Sequence, residues 1–153
     1  MIYYSHRGNL EGSNPQRENS PEYIDEAIQA GFSVEVDVHV IGESIFLGHD
    51  FPQYQIDRSY LDNRKYDLLL HAKNFLAAKM LATTDLHYFF HSTDKYTLTS
   101  KGLIWVHDLS LDVDDISYIQ SRCVVPLITL ELIKAFNKKT IFGICSDFIA
   151  IAR

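Results

Sequence analysis

The chain of 153 residues carries 14 Lys and Arg against 20 Asp and Glu, a formal net charge of −6. With 46% hydrophobic and 22% charged residues, its composition is that of a globular protein and excludes a disordered chain. The acidic balance argues against a nucleic-acid partner, and no apolar run is long enough to span a membrane. The length predicts a single domain over residues 1–153.

Two features of the sequence indicate the cellular compartment of the protein: the start of the chain and the setting of its two cysteines. The apolar residues IYY follow Met1 at once, in place of the basic and apolar regions of a signal peptide. Cys123 and Cys145 lie in apolar runs, which is typical of reduced cysteines in a protein core. We therefore expect a cytoplasmic protein without disulfides.

Apolar runs and helical stretches alternate along the chain. A helix is predicted to begin at Pro21, because Ser20 is a good N-cap, and to end at Gly31. The other predicted helices are 74–83, 113–120 and 130–137. The predicted strands are 2–5, 33–40, 44–48, 67–72, 86–91, 103–107, 123–128 and 140–145. This alternation favours parallel βαβ units.

Five of the seven histidines end an apolar run. They are His6, His49, His71, His91 and His107. In a parallel βα barrel, the C-terminal ends of the strands converge on the face that carries catalytic groups. One histidine at such a position is most often structural, whereas five in a short chain indicate a shared site.

Glu35 and Asp37 are two residues apart on the predicted strand 33–40, so their carboxylates point to the same side. Two close carboxylates repel each other unless a cation or a shared proton relieves them. A divalent ion with oxygen ligands, such as Mg²⁺ or Ca²⁺, is the natural resolution. The alternative is the polar, solvent-facing side of an antiparallel strand.

Arg7 and Lys73 are candidate phosphate ligands. Arg7 stands between His6 and Gly8, where a flexible loop would let its guanidinium hold a phosphate. Lys73 lies two residues beyond His71, on the same side of its strand end, and would add a second positive charge. Taken singly, both residues also fit ordinary surface charges.

These residues occur in an order that resembles the glycerophosphodiester phosphodiesterase family. Residues 6–8 read HRG, residues 18–20 ENS, residues 35–37 EVD and residues 49–50 HD. That family carries HRG, ENT, ExD and HD in the same order, so the resemblance covers residues 2–50, about a third of the chain. A weaker similarity follows at 71–73 and at Ser146-Asp147, near the end of the last predicted strand.

The resemblance implies a fold and an activity. The family has a TIM barrel and hydrolyses a glycerophosphodiester to an alcohol and glycerol 3-phosphate with a divalent cation. Carried over, it makes His6 and His49 the acid–base pair, without saying which is acid and which is base. Glu35 and Asp37 become metal ligands, and Arg7 and Lys73 hold the phosphate of a small phosphodiester substrate.

The resemblance also assigns supporting residues and a third ligand. Glu18 and Asn19 become supports in the loop near His6. His71 stands where the family has a third acidic ligand, so the expected ion is Mg²⁺ or Ca²⁺, and Mn²⁺ becomes a further candidate.

The chain is short for this fold, because a full barrel averages about 250 residues. We therefore expect an α/β protein with a compressed or incomplete TIM-type (β/α) barrel of about seven to eight parallel strands. Exposed strand faces would then favour a homodimer. A stretch without a helical pattern, residues 92–101, marks one missing helix.

Two alternatives to a phosphodiesterase stay open. One is a catalytically weak or inactive relic of the same fold that still binds phosphate. The other is a related lyase acting on choline phospholipids, which shares the two histidines and the ExD pair. The lack of a signal peptide and the apolar setting of both cysteines disfavour the lyase.

Overall fold

The computed structural model describes residues 1–107, 122–135 and 141–153. Within these ranges the strands are β1 Ile2–His6, β2 Ser33–Ile41, β3 Ser44–Leu47, β4 Tyr54–Ile56, β5 Leu68–Ala72, β6 Tyr88–Phe89, β7 Tyr96–Leu98, β8 Ile104–Val106, β9 Cys123–Pro126 and β10 Gly143–Ser146. The helices are α1 Pro21–Gln29, α2 Arg58–Asp62, α3 Phe75–Leu81, α4 Leu130–Ala135 and α5 Ile149–Ala152.

All of these strands belong to one mixed sheet. Parallel pairing joins seven of them in the spatial order β6-β5-β2-β1-β10-β9-β8. Antiparallel pairing adds β3 to β2, β4 to β3 and β7 to β8. The sheet curls into a half-barrel, and β1 in its middle pairs with β2 on one side and β10 on the other.

Strands β6 and β7 lie at the two ends of the curled sheet. Isolated contacts join the segments around them. The backbone nitrogen of Ser100 donates to the carbonyl oxygen of Tyr88 at 2.8 Å. Inside the curl, the ring of Phe89 stacks on Trp105 with their centroids 4.7 Å apart. A backbone hydrogen bond and stacked rings thus bridge the gap where a closed barrel would have a strand ladder.

The predicted α/β class is confirmed, and the predicted barrel is confirmed only as a curled sheet with a parallel central run. Helices are few among the described residues, and three of the strand pairs are antiparallel. Residues 92–101 form the turn and strand β7 instead of a helix, as their lack of helical periodicity indicated. The predicted helix 113–120 lies outside the described residues, and so does the end of 130–137.

Helix α1 begins as the sequence predicts. The Ser20 side chain caps it by accepting a hydrogen bond from the Tyr23 backbone nitrogen at 3.3 Å, and Pro21 occupies the first turn. Ile24 and Ala27 lie on the inner face of this helix and are fully buried. Since Glu18 and Asn19 directly precede the cap, packing of this helix fixes the position of both residues.

The sheet has an apolar cluster on each side. Outside the curl, the four valines of β2 pack with residues of α1 and α3. Inside it, Tyr4, Leu69, Phe89, Trp105 and Cys145 share a second cluster. The free cysteines are both buried, as expected of core thiols.

Apolar side chains remain exposed beside β7, where no described helix covers the sheet. Phe75 is 72% exposed and Leu98 is 70% exposed, and both line a cavity of about 620 Å³. The homodimer expected from the sequence stays a prediction. Among the described residues, the helices all lack the length and apolar character needed to cross a membrane.

Candidate functional site

A cavity of about 340 Å³ opens at the C-terminal ends of the parallel strands. All five histidines that end apolar runs line it: His6, His49, His71, His91 and His107. The remaining lining residues are Arg7, Glu35, Trp105, Pro126, Ile128 and Leu132. The structure therefore brings together side chains that are spread over 127 positions of the chain, from His6 on β1 to Leu132 on α4, with most of the predicted site residues among them.

Glu35, Asp37 and His71 form a compact cluster beside this cavity. Strands β2 and β5 run parallel with Asp37 opposite His71 in the register, which places the imidazole next to both carboxylates. His71 Nδ1 lies 3.1 Å from Asp37 Oδ1 and 3.8 Å from Glu35 Oε1. One ligand atom from each of the three lies within 4.8 Å of the others.

This cluster fits a divalent cation. Ligands about 2.1–2.5 Å from one ion cannot lie more than about 5 Å apart, and the three donors meet that limit. Glu35 and Asp37 are 2% and 0% exposed, which rules out the solvent-facing strand considered from the sequence. Glu35 Oε2 and Asp37 Oδ1 are buried without a well-aligned hydrogen bond, and buried carboxylate oxygens of this kind call for a cation.

The pKa values of the two buried carboxylates shift in opposite directions. Burial, followed by the neighbouring charge of Asp37, raises the pKa of Glu35 to about 7. Burial also pushes the pKa of Asp37 upward, but the contact with His71 and the charges of Arg7 and Lys73 outweigh it and hold that pKa well below its usual range. Burial lowers the pKa of His71, which favours the neutral imidazole that a metal ligand requires.

Both candidate phosphate ligands lie against Asp37. Arg7 Nε is 3.0 Å from Asp37 Oδ2, and Lys73 Nζ is 3.5 Å from Asp37 Oδ1. Arg7 itself adopts a left-handed backbone conformation with φ of 57°, and Gly8 follows with φ of 98°. This tight turn at the end of β1 directs the guanidinium to the cavity, which it lines.

Glu18 and Asn19 support the site through contacts with Arg7, which directly follows His6, and with Asp37. Glu18 Oε2 accepts from Arg7 Nη1 at 3.1 Å. Asn19 bonds Asp37 twice: its Nδ2 donates to Asp37 Oδ2 at 3.0 Å, and its Oδ1 accepts from the Asp37 backbone nitrogen at 2.9 Å. The loop before α1 therefore fixes one cation and one carboxylate of the cluster.

His6 is oriented by Asp147, which follows β10. His6 Nδ1 and Asp147 Oδ1 are 2.7 Å apart, and Asn9 Nδ2 donates to the same oxygen at 2.7 Å. His6 Nε2 faces the cluster, 4.0 Å from Glu35 Oε2. Burial lowers the pKa of His6, but the hydrogen bond to Asp147 and the charge of Glu35 bring it above its ordinary value.

His49 reaches the cavity from the loop after β3 and is less enclosed. Its side chain is 38% exposed, and its Nδ1 lies 2.7 Å from Oδ1 of the exposed Asp50. Partial burial lowers the pKa of His49. Gly48 precedes it with φ of 145°, a backbone conformation that residues other than glycine rarely adopt.

Four residues in or beside the candidate site were not assigned a role from the sequence. His91 and His107 carried the signal of ending an apolar run, and their rings contact each other with centroids 4.3 Å apart. His91 also stacks on His71 at 4.8 Å. Asp147 appeared only in the weaker similarity at residues 146–147, without a role, and Asn9 carried no signal, because its partners are irregular in spacing or distant in sequence.

No family model, curated protein or solved structure matches this chain.

Proposed function

We propose that the chain is a metal-dependent phosphodiesterase that cleaves a small glycerophosphodiester-like substrate into an alcohol and a phosphomonoester. One observation carries the proposal. Two histidines, an arginine and Glu35 line one cavity, with Asp37 beside Glu35, in the sequence order that resembles the glycerophosphodiester phosphodiesterases. The TIM-type barrel of that family is the parent architecture that we propose for the curled sheet.

Binding of the phosphodiester is the task of Arg7 and Lys73. Both side chains sit within 3.5 Å of Asp37, and their positive charges attract an anion into the cavity. A guanidinium matches two phosphate oxygens with two parallel hydrogen bonds, while an ammonium acts as a point charge. Glu18 holds the Arg7 fork in place for this contact.

Glu35, Asp37 and His71 are the residues that would hold the divalent ion. When bound, that ion supplies positive charge beside the phosphate and offsets the negative charge that grows during cleavage. We propose Mg²⁺ or Ca²⁺ as that ion, with Mn²⁺ as a further candidate because of the imidazole ligand.

His6 and His49 move the protons of the reaction. One imidazole takes the proton of the attacking hydroxyl, which belongs to water or to the glycerol moiety, as the new phosphorus–oxygen bond forms. Attack by water gives the phosphomonoester directly, whereas attack by the glycerol hydroxyl gives a cyclic phosphodiester, which water then opens to the phosphomonoester. The other gives a proton to the alcohol oxygen as its bond to phosphorus breaks. Asp147 holds His6 through Nδ1, which leaves Nε2 to exchange the proton.

The test is turnover on a panel of glycerophosphodiesters with Mg²⁺, Ca²⁺, Mn²⁺ or a chelator. We expect metal-dependent release of a phosphomonoester, lost in His49→Ala. The matched control is His87→Ala, which removes a histidine that does not line this cavity. Absence of turnover with every metal, in folded protein, would contradict the proposal.

The second candidate is a phosphate-binding relic without useful turnover. His71 favours it, because a neutral ligand in place of a carboxylate weakens the attraction for a hard cation. Binding of inorganic phosphate that requires Arg7, together with absent turnover, would support the relic. Restored turnover in His71→Glu would show that the missing carboxylate is the cause.

A further inference from the structure

A second cavity lies at the opposite end of the strands from the candidate site. Its volume is about 450 Å³, and it shares no lining residue with the first cavity. Seven of its lining residues begin or directly precede the seven strands of the parallel run: Ile2, Ser33, Leu68, His87, Leu103, Arg122 and Phe142. The cavity is therefore the mouth of the half-barrel at its N-terminal strand ends.

The charged side chains among the described lining residues of this mouth are positive. They are Lys65, Lys101 and Arg122, and Asp85, which is not among the lining residues, interacts with Lys65 and Lys101. Lys65 Nζ pairs with the exposed Asp85 at 3.0 Å. Within the described ranges, Lys101 and Arg122 have no acidic group within 4.0 Å, although the whole chain carries a net charge of −6. Such a local concentration of positive charge attracts anions.

The floor of the cavity offers an unpartnered hydroxyl. Tyr4 is 4% exposed and lines the cavity, yet its hydroxyl makes no hydrogen bond to any residue that the structure describes. Burial raises the pKa of Tyr4 to about 12, so the hydroxyl keeps its proton and can donate. The hydroxyl is open to the cavity, and an acceptor bound there can take its hydrogen bond.

The walls of the cavity are largely apolar or aromatic. Ile2, Leu103 and Phe142 contribute aliphatic and ring surface, and Tyr66 stands at the rim with 88% exposure. Lys65 Nζ lies 5.1 Å from the centre of the Tyr66 ring. A flat or apolar group has surface to pack against here, beside the cations that would hold an anionic group.

We propose that this cavity binds a small organic phosphate, with Lys65, Lys101 and Arg122 at the phosphate and the apolar wall at the rest of the molecule. The Tyr4 hydroxyl donates to a ligand oxygen from the cavity floor. This site is independent of the proposed phosphodiesterase activity, because the two cavities have separate linings.

Calorimetric titration of the full chain with adenosine monophosphate, inorganic phosphate and adenosine, in chelator, tests the proposal. We expect adenosine monophosphate to bind most tightly and to weaken as salt is added. The double variant K101Q/R122Q should weaken its binding by at least about tenfold, since each charge-assisted hydrogen bond contributes about 1.5–3 kcal/mol. Tyr4→Phe should weaken it severalfold.

The matched control is R58Q/K79Q, which removes two cations that line a different cavity and should leave binding unchanged. Loss of binding in Arg7→Gln, with K101Q/R122Q unaffected, would place the anion in the first cavity and overturn the proposal. Equal binding of adenosine and its monophosphate, or no binding at all, would overturn it too. Equal binding of phosphate and adenosine monophosphate would refute the role of the apolar wall.

Discussion

Two hydrogen bonds join the Asn19 side chain to Asp37. Asn19 Nδ2 donates to Asp37 Oδ2 at 3.0 Å, and Asn19 Oδ1 accepts from the Asp37 backbone nitrogen at 2.9 Å. Asn19 adopts φ of 63° to do so, a left-handed conformation that asparagine tolerates better than most residues. Both residues are fully buried. The pair therefore ties the loop before α1 to the face of β2 that carries the candidate metal ligands.

We predict that Asn19→Ala weakens Mn²⁺ binding by about 10- to 100-fold, the usual cost of losing a partner that orients a metal ligand. The freed Asp37 carboxylate would lose its fixed direction. Titration calorimetry with Mn²⁺ measures the effect. Asn14→Ala is the control, because the Asn14 side chain makes no hydrogen bond to a described residue. Unchanged affinity in Asn19→Ala would mean that Asp37 is not a ligand or needs no support.

Asp147→Asn should lower kcat by about 100-fold, the scale of losing a properly positioned acid–base group. It should also lower the pKa of His6, because the hydrogen bond to Asp147 raises that pKa in the native protein. The pH profile of kcat, together with an NMR titration of the His6 ring, reports both effects.

Asp50→Asn is the matched comparison for Asp147→Asn. Asp50 contacts His49 at the same 2.7 Å distance, but its side chain is 83% exposed, so solvent screens the pair. We expect at most a severalfold change in kcat. A larger loss in Asp50→Asn than in Asp147→Asn would contradict the idea that burial makes the His6 pair the important one.

Gly48→Ala should reduce turnover while leaving metal affinity intact. A methyl group at this position would collide with the carbonyl oxygen of Phe51, and φ of 145° disfavours any side chain. The loop must then shift and take His49 with it. Gly42→Ala is the control, since its φ is also positive but nothing lies within 4 Å of the added carbon. Equal turnover in both variants would show that the exact position of His49 does not matter.

The stability of the fold should depend on pH through His87. Burial, together with the charge of Lys101, lowers the pKa of His87 to about 4 from an ordinary value of 6.5. The unfolded chain therefore binds the proton more readily, and this contribution to stability is complete above pH 6.5 and lost as pH falls towards 4.

Urea unfolding of the wild type and of His87→Gln, at several pH values between about 7 and about 5, checks this sign. The wild type should lose stability more steeply than the variant as pH falls. Parallel curves for the two proteins would contradict the lowered pKa of His87.

Several features could be predicted from the sequence because they are local. The cap at Ser20 and the alternation along β2 follow from neighbouring residues, and both appear in the structure. Four of the histidines that end apolar runs converge because the strands before them are parallel and align their C-terminal ends, whereas His49 follows the antiparallel strand β3. Periodicity and spacing are sufficient for such features.

Other features could not be predicted because they depend on long-range packing. The partner of His6 is 141 residues away, and no spacing rule connects the two. Strand β7 has only three residues and no alternating pattern that would distinguish it from a loop. The contact of Asn19 with Asp37 depends on a left-handed turn that is set by the surrounding backbone.

The pairing of β1 with β10 has a consequence for the order in which the protein folds. His6 is made among the first residues, but Asp147 and the strand before it are made near the end of this sequence. Contacts between residues so far apart in sequence form late, because closing a long loop is entropically slow. A chain that lacks β10 and Asp147 would therefore carry the HRG sequence without the aspartate that orients His6.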